Sequence, residues 1–225
     1  TLNPYFYSKL PYDPVRDFAP VALAGVINAV FVAHPSVPVN TLPEVIALTK
    51  AKPDSIRYGS WGIGSFPDLY RAWLEKEQGA QFQHIPYKEI SQVLSSVVTG
   101  DVQVLLNTPG LMTPLVKAGK LKVLAAIGTK RLPQFPDAPS FKELGYDLDF
   151  LGWTGAFAPA GTPRDIVQKL NAEINRAMQL PEVNAKLTGS GLIVVNESAD
   201  YYTEFIKTEY AKYGKIVRDI GLQPQ

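Results

Sequence analysis

Residues 57–68 read Arg57-Tyr58-Gly59-Ser60-Trp61-Gly62-Ile63-Gly64-Ser65-Phe66-Pro67-Asp68, a glycine- and serine-rich stretch placed ahead of an apolar run. The chemistry this pattern offers is anion binding. Glycines at 59, 62 and 64 let main-chain N–H groups approach a ligand with no Cβ in the way. Ser65 stands at an N-cap position with Asp68 three residues on, an S-x-x-D capping box. Phe66, Leu69, Tyr70, Trp73 and Leu74 then recur at helical spacing and give that helix a buried face. A helix starting here adds unpaired N–H donors and the positive end of its dipole. Loop and helix together make a cradle for a carboxylate or phosphate. Nothing in the loop supplies catalysis.

The other reactive side chains do not assemble into a catalytic set. Of the two histidines, His84 reads as a strand-terminal hydrogen-bonding side chain and His34 as a loop or crossing position. Neither has an evident acid partner in the chain order of a serine hydrolase. Ser60 lacks the glycine two residues before it that a nucleophile elbow needs. The glycine spacing is neither a P-loop, since no lysine follows, nor G-x-G-x-x-G, and H-E-x-x-H is absent. Asp137 and Glu143 fall in a turn and a cap, where solvated or structural roles dominate. Tyr70 and Trp73 read as core rather than a stacking platform.

The elements that position the loop follow from the hydrophobic pattern. Residues 21–33 read as extended and buried, after a turn-rich, aromatic opening (Pro4-Tyr5-Phe6-Tyr7) that no helix or strand begins. Thr41-Leu42-Pro43-Glu44 is a capping box opening a helix to about Ala51. A strand at 56–58 feeds the loop, the helix after it ends near Gly79, and 82–85 is a strand. A helix with Ile90, Leu94, Val97 and Val98 on one face stops at Gly100. The continuous apolar run 102–106 is a strand buried on both faces, with Asn107-Thr108 in the loop at its carboxyl end. A helix at 111–118, a strand at 123–127 and a capping box at Ser140 and Glu143 on a short helix follow. Residues 150–158 are extended. Thr162 and Asp165 box a helix to Met178 that turns Ile166, Leu170 and Ile174 inward. A small helix at 181–187 and a strand at 192–195 precede a last helix, capped by Ser198, that buries Tyr201, Phe205, Ile216, Val217 and Ile220. Alternating strands and helices predict a mostly parallel sheet with helices on both faces. Ligands of such sheets sit outside the carboxyl ends of strands. The glycine loop, the Pro86-Tyr87 turn and the Asn107-Thr108 loop are expected to converge there.

Composition narrows the classes. Hydrophobic residues make up 46% of 225 and charged ones 19%, which suits a folded globular chain. Twenty-two Lys and Arg against 21 Asp and Glu leave a net charge of +1, no basic field for nucleic acid or an acidic membrane. No apolar run approaches the ~20 residues that span a bilayer. With no cysteine, thiol catalysis, zinc-thiolate sites and disulfides are excluded, which suits an oxidising compartment. A chain that starts at Thr1 without Met or a signal sequence is expected to be a mature or truncated product.

An ordered set of motifs identifies a resemblance. Leu10-Pro11-Tyr12-Asp13-Pro14 with Asp17-Phe18 comes first, then Tyr58-Gly59-Ser60-x-Gly62-x-Gly64-Ser65, then His84-x-Pro86-Tyr87-Lys88. Lys117-Ala118-Gly119-Lys120-Leu121, Arg131 with Pro136-Asp137-x-Pro139, and Phe157-Ala158-Pro159-Ala160-Gly161-Thr162-Pro163 follow. Each is weak alone, while their order across the chain is specific. The chain resembles the extracytoplasmic solute receptors of tripartite tricarboxylate transporters, the Bug receptors. The resemblance implies an α/β fold of the periplasmic binding protein type, a Venus flytrap of two α/β lobes. Residues 1–30 with 153–225 are expected to form the first lobe and 31–152 the second. It implies a periplasmic, non-enzymatic, monomeric receptor with no cofactor. Its partners are a small carboxylate (dicarboxylate, tricarboxylate, amino acid or aromatic acid) and the membrane components of the transporter.

Under that resemblance Ser60, Gly62, Gly64 and Ser65 hold a carboxylate, Tyr87, Asn107 and Thr108 read the rest, and Trp61 either covers the ligand or packs its lobe. Three departures bear on it. Family members usually begin earlier, so a first lobe lacking its N-terminal strands is expected here. Asn107-Thr108 stands where relatives commonly have Asp-Asn, which makes the distal site less welcoming to an ammonium group. Glu89 replaces a usual glycine and is expected to face solvent. Two other readings stay open: a module that presents a bound carboxylate to a signalling partner, and an unrecognised enzyme on the same scaffold.

Overall fold

The computed structural model describes residues 3–6, 9–148 and 150–221. The expectations for Thr1 and Tyr7 lie outside them. The chain divides between Ile27 and Asn28, and again between Leu151 and Gly152, into two compact units.

The unit from Asn28 to Leu151 holds the glycine loop. Its elements are β2 (Val30–Ala33), α2 (Leu42–Ala51), β3 (Arg57–Ser60), α3 (Phe66–Gln78), β4 (Gln83–Pro86), α4 (Ile90–Thr99), β5 (Val104–Asn107), α5 (Pro109–Lys117) and β6 (Lys122–Ala126). The strand order is β4-β3-β5-β2-β6. β3 pairs in parallel with β4 and with β5, while β2 is antiparallel to both β5 and β6. Four strands therefore share one direction and β2 alone runs against them. The expected parallel character holds where a helix carries the chain back, as α3 does between β3 and β4, because a parallel neighbour needs such a crossover.

The core of this unit is aliphatic on one side of the sheet and aromatic on the other. Val30, Val32, Val93, Val97, Val102, Leu105 and Met112 cluster without exposure. Phe31, Tyr58, Tyr70 and Phe141 interlock, with Phe31 and Phe141 stacked at 5.6 Å between ring centroids. Tyr70 and Trp73 are buried in this cluster, the place expected for them. On α4 the buried stripe is Val93, Ser96 and Val97, and Ile90 is exposed rather than inward.

The other unit comprises β1 (Phe18–Ile27), β7 (Gly152–Pro159), α6 (Arg164–Met178), α7 (Pro181–Gly189), β8 (Leu192–Val194) and α8 (Ala199–Ile220), with a short helix α1 (Asn3–Phe6) where none was expected. Tyr5 of α1 donates from its hydroxyl to the Tyr210 carbonyl of α8 at 2.8 Å. The sheet, ordered β7-β1-β8, is antiparallel throughout, which corrects the parallel expectation for this part of the chain. The inward stripes are shifted too. Val167 and Met178 are the buried residues of α6, while Ile166 and Leu170 are exposed. On α8 the buried stripe runs through Tyr202, Ile206, Tyr213 and Val217, one residue on from the expected start at Tyr201. Both helices carry more apolar residues than one face can bury, so spacing alone leaves the phase open.

The capping motifs separate into those that form and those that do not. At Thr41 both bonds of the box are made, and Ser198 accepts from the Tyr201 N–H. At Ser140 and Glu143 both bonds form around a turn, where a helix was expected. Thr162 caps nothing: its hydroxyl donates to the Pro159 carbonyl, and Pro163 takes the N-cap position. Thr41→Ala should therefore cost about 1 kcal/mol in urea unfolding, and Thr162→Ala should cost clearly less. Equal losses would contradict the assignment of caps.

Candidate functional site

Ser60, Pro86 and Asn107 end β3, β4 and β5, three adjacent strands running the same way. The glycine loop, the Tyr87 turn and Thr108 thus leave the sheet from one edge, as expected. Tyr87 N–H donates to the Ser60 carbonyl at 2.8 Å and ties two of these connections together. Tyr58 faces Val104 and Gly59 faces Leu105, so the chain leaves β3 and β5 on neighbouring strands at the same end of the sheet.

The loop is held from within by side chains that the sequence reading had not joined. Gly62 N–H donates to Ser60 Oγ at 3.2 Å and Gly64 N–H to Asp68 Oδ2 at 2.8 Å. Ser65 N–H and Ser65 Oγ both donate to the Gly62 carbonyl, at 3.2 Å and 2.6 Å. The capping box at Ser65 is therefore not formed, because its hydroxyl is committed to Gly62 and Asp68 reaches Gly64 instead. Gly62 and Gly64 sit at φ of +117° and +76°, which side chains with a Cβ rarely adopt. Their glycines serve the loop's path first.

The expected donors of the cradle shift as a result. The amides of Gly62, Gly64 and Ser65 already have internal acceptors. The N–H groups of Trp61 and Ile63 carry no hydrogen bond to any described residue. A third unpaired donor is the side-chain amide of Asn107. It is 2% exposed, its Oδ1 accepts from Thr108 N–H at 2.7 Å, and its Nδ2 has no partner. The Thr108 bond fixes which end of the amide is oxygen. A buried donor left unmade costs about 1–3 kcal/mol, so Asn107 is a place where a partner is missing.

The other expected residues have structural duties here. Trp61 packs partly buried against the aliphatic core. Tyr87 packs there too and hydrogen-bonds Ser96 through its hydroxyl. Thr108 is the N-cap of α5 without a side-chain cap bond. Glu89 is exposed, as expected.

Asp68 organises the loop from beneath. Its side chain is 1% exposed, and Oδ1 accepts from Arg71 Nη2 at 2.7 Å and Nε at 2.9 Å. Arg71 also pairs with Glu75. His84 Nε2 lies 2.7 Å from Ser60 Oγ and 3.5 Å from Asp68 Oδ1. His84 thus has the acid neighbour that chain order hid. This is not a hydrolase triad, because serine and carboxylate address the same ring nitrogen and Ser60 is fully buried. Burial holds the His84 imidazole below its ordinary range, Asp68 opposes this and Arg71 adds to it. Among the described residues no group of three or more acidic, histidine or cysteine side chains could hold a metal ion.

The family model described as tripartite tricarboxylate transporter family receptor matches residues 1–222. A UPF0065 protein in the gbd 5' region of Cupriavidus necator is 34% identical over 96% of this chain, which spans 66% of that relative's length. Three solved structures are similar. The periplasmic binding protein BugD has a TM-score of 0.90 and 25% identity, covering 100% of this chain and 76% of its own. Rpa4515 of R. palustris with adipate scores 0.91 at 25% identity, with the same coverage of 100% and 76%. MatC of Rhodopseudomonas palustris with bound malate scores 0.84 at 27%, covering 95% and 74%. The fold is that of periplasmic binding proteins.

Two outcomes follow from the buried network. Asp68→Ala should destabilise by about 1–3 kcal/mol in urea unfolding, because Gly64 N–H loses its acceptor while Arg71 keeps Glu75. The second concerns pH. The folded imidazole of His84 is the weaker base, so the unfolded chain takes up the proton first as pH falls. The stability His84 confers is therefore complete above its unfolded pKa of about 6.5 and declines as pH drops below it. His84→Gln should flatten the change in urea midpoint between about pH 7.5 and 5.5, and an unaltered slope would remove His84 from the account.

Proposed function

The chain belongs to the tripartite tricarboxylate transporter receptor family, and from that premise we propose that it is a periplasmic receptor that captures a small carboxylate for the membrane components of such a transporter. The observation that carries the carboxylate reading is the unpaired Nδ2 of Asn107 beside a loop whose Trp61 and Ile63 N–H groups are also unpaired. Three helices, α3, α4 and α5, begin at the same edge, and their first turns favour negative charge. Adipate in one relative and malate in another support the substrate class.

In this reading Trp61 N–H, Ile63 N–H and Asn107 Nδ2 donate to the carboxylate. Thr108 offers a hydroxyl beside Asn107, and the Tyr87 ring borders the site. Ser60, Gly62, Gly64 and Ser65 set the path of the loop, so their effect on binding is through its shape. The receptor does no chemistry on what it binds, which agrees with a family of receptors rather than enzymes. Among the described residues no helix is long and apolar enough to cross a membrane.

A thermal-shift panel of di-, tri- and aromatic carboxylates tests the proposal, since a ligand of the folded state raises the melting temperature. At least one acid should stabilise the protein. Asn107→Leu removes the donor at similar size and adds no charge. It should weaken that acid about tenfold or more, the scale of a lost hydrogen bond to a charged group. A panel with no stabilising acid, or an Asn107→Leu protein that binds as tightly as the parent, would refute it.

A further inference from the structure

The unit from Asn28 to Leu151 exposes three large aliphatic side chains among its described residues: Ile63 at 55%, Ile90 at 41% and Leu111 at 45%. Single exposed aliphatics are ordinary on protein surfaces. Their placement is not. Ile63 lies in the connection from β3 to α3, Ile90 is the first residue of α4 after β4, and Leu111 is in the first turn of α5 after β5. All three stand at the edge where the unpaired donors lie, and none elsewhere on this unit. The partly buried Trp61 and Tyr87 add aromatic surface at the same edge.

Charge is scarce there. The connections 61–65 and 108 hold no ionisable residue, and 87–89 hold one cation and one anion, Lys88 and Glu89, both exposed. Asp68, in the first turn of α3, is buried and paired with Arg71. The edge thus offers neutral donors enough for one carboxylate and no cluster of cations for a second or third. Around those donors it offers hydrocarbon. Relatives with adipate and with malate do not decide between an apolar and a hydroxylated body.

We propose that this site selects carboxylic acids with a hydrocarbon body, the carboxylate held at Trp61, Ile63 and Asn107 and the methylene chain laid against Ile63, Ile90 and Leu111. This inference rests on the carboxylate reading above and narrows it. Hydroxylated and tricarboxylic acids are disfavoured, because their polar groups would lose water against aliphatic side chains without gaining partners.

The test is calorimetric titration of succinate, glutarate, adipate and pimelate, with malate and citrate as polar comparators. Affinity should rise about fourfold for each added methylene, equivalent to ~0.8 kcal/mol, and malate and citrate should bind more weakly than adipate. The Ile90→Asn and Leu111→Asn proteins should lose most of the gain per methylene while keeping succinate affinity within about twofold. Both positions are exposed, so folding is not at stake, and their ligand-free melting temperatures should match the parent. Binding of acids with a flat chain-length series, or citrate binding more tightly than adipate, overturns the hydrocarbon-body inference and leaves the carboxylate reading standing. A fall in the ligand-free melting temperature of both variants also overturns it, since the side chains would then serve internal packing. Binding of none of the six acids overturns both.

Discussion

The buried carboxylate of Asp68 is the constraint on which the site depends. It lies at the third position of α3 with almost no exposure, and it accepts from Gly64 on one oxygen and from Arg71 on the other. A carboxylate in such surroundings is tolerable only with its lone pairs filled. The bond to Gly64 thereby fixes where the loop returns to the helix. Gly62 and Gly64, at positive φ, let the chain make that return in few residues. Ser60, reached by His84 from the adjacent strand, holds the other end by accepting from Gly62.

Because the loop satisfies its own Gly62, Gly64 and Ser65 amides, the donors left over are defined by subtraction. Trp61 and Ile63 have N–H groups with no acceptor among the described residues, and Asn107 keeps an amide donor in reserve. A rigid loop with a few unfilled donors is a better anion site than a floppy one with many, since little is spent ordering it on binding. The same economy explains the absence of chemistry. Ser60 and His84 are close enough to suggest a nucleophile and base, but burial and the shared ring nitrogen make them a brace.

Much of the fold was legible in the sequence. The Thr41 box, the glycine stops at Gly79 and Gly100, and the apolar runs that became β2 and β5 carry local signals strong enough to read directly. What failed were choices between equivalent local options. Ser65 could cap its helix or bond Gly62, and Thr162 could cap or bond Pro159; in both cases a nearby carbonyl won. On α6 and α8 the sequence offers two candidate stripes, and contacts from β1 select one. The antiparallel sheet β7-β1-β8 joins strands more than a hundred residues apart, and no local pattern states their direction.

The sequence by itself determined that an anion-binding glycine loop and two further connections leave strands at their carboxyl ends, because glycine spacing, strand runs and helix starts are local properties. It also determined that thiol and zinc-thiolate chemistry are absent, a matter of composition. Only the tertiary structure decided which donors remain free, since each hydrogen bond that consumes one comes from a residue whose nearness depends on folding. Ser60 meets His84, and the glycine loop comes to the same end of the sheet as Asn107, only once β3 pairs with β4 and β5. The placing of Ile63, Ile90 and Leu111 at one end of the sheet has the same origin: residues far apart in the chain come to the same end when strands align in parallel.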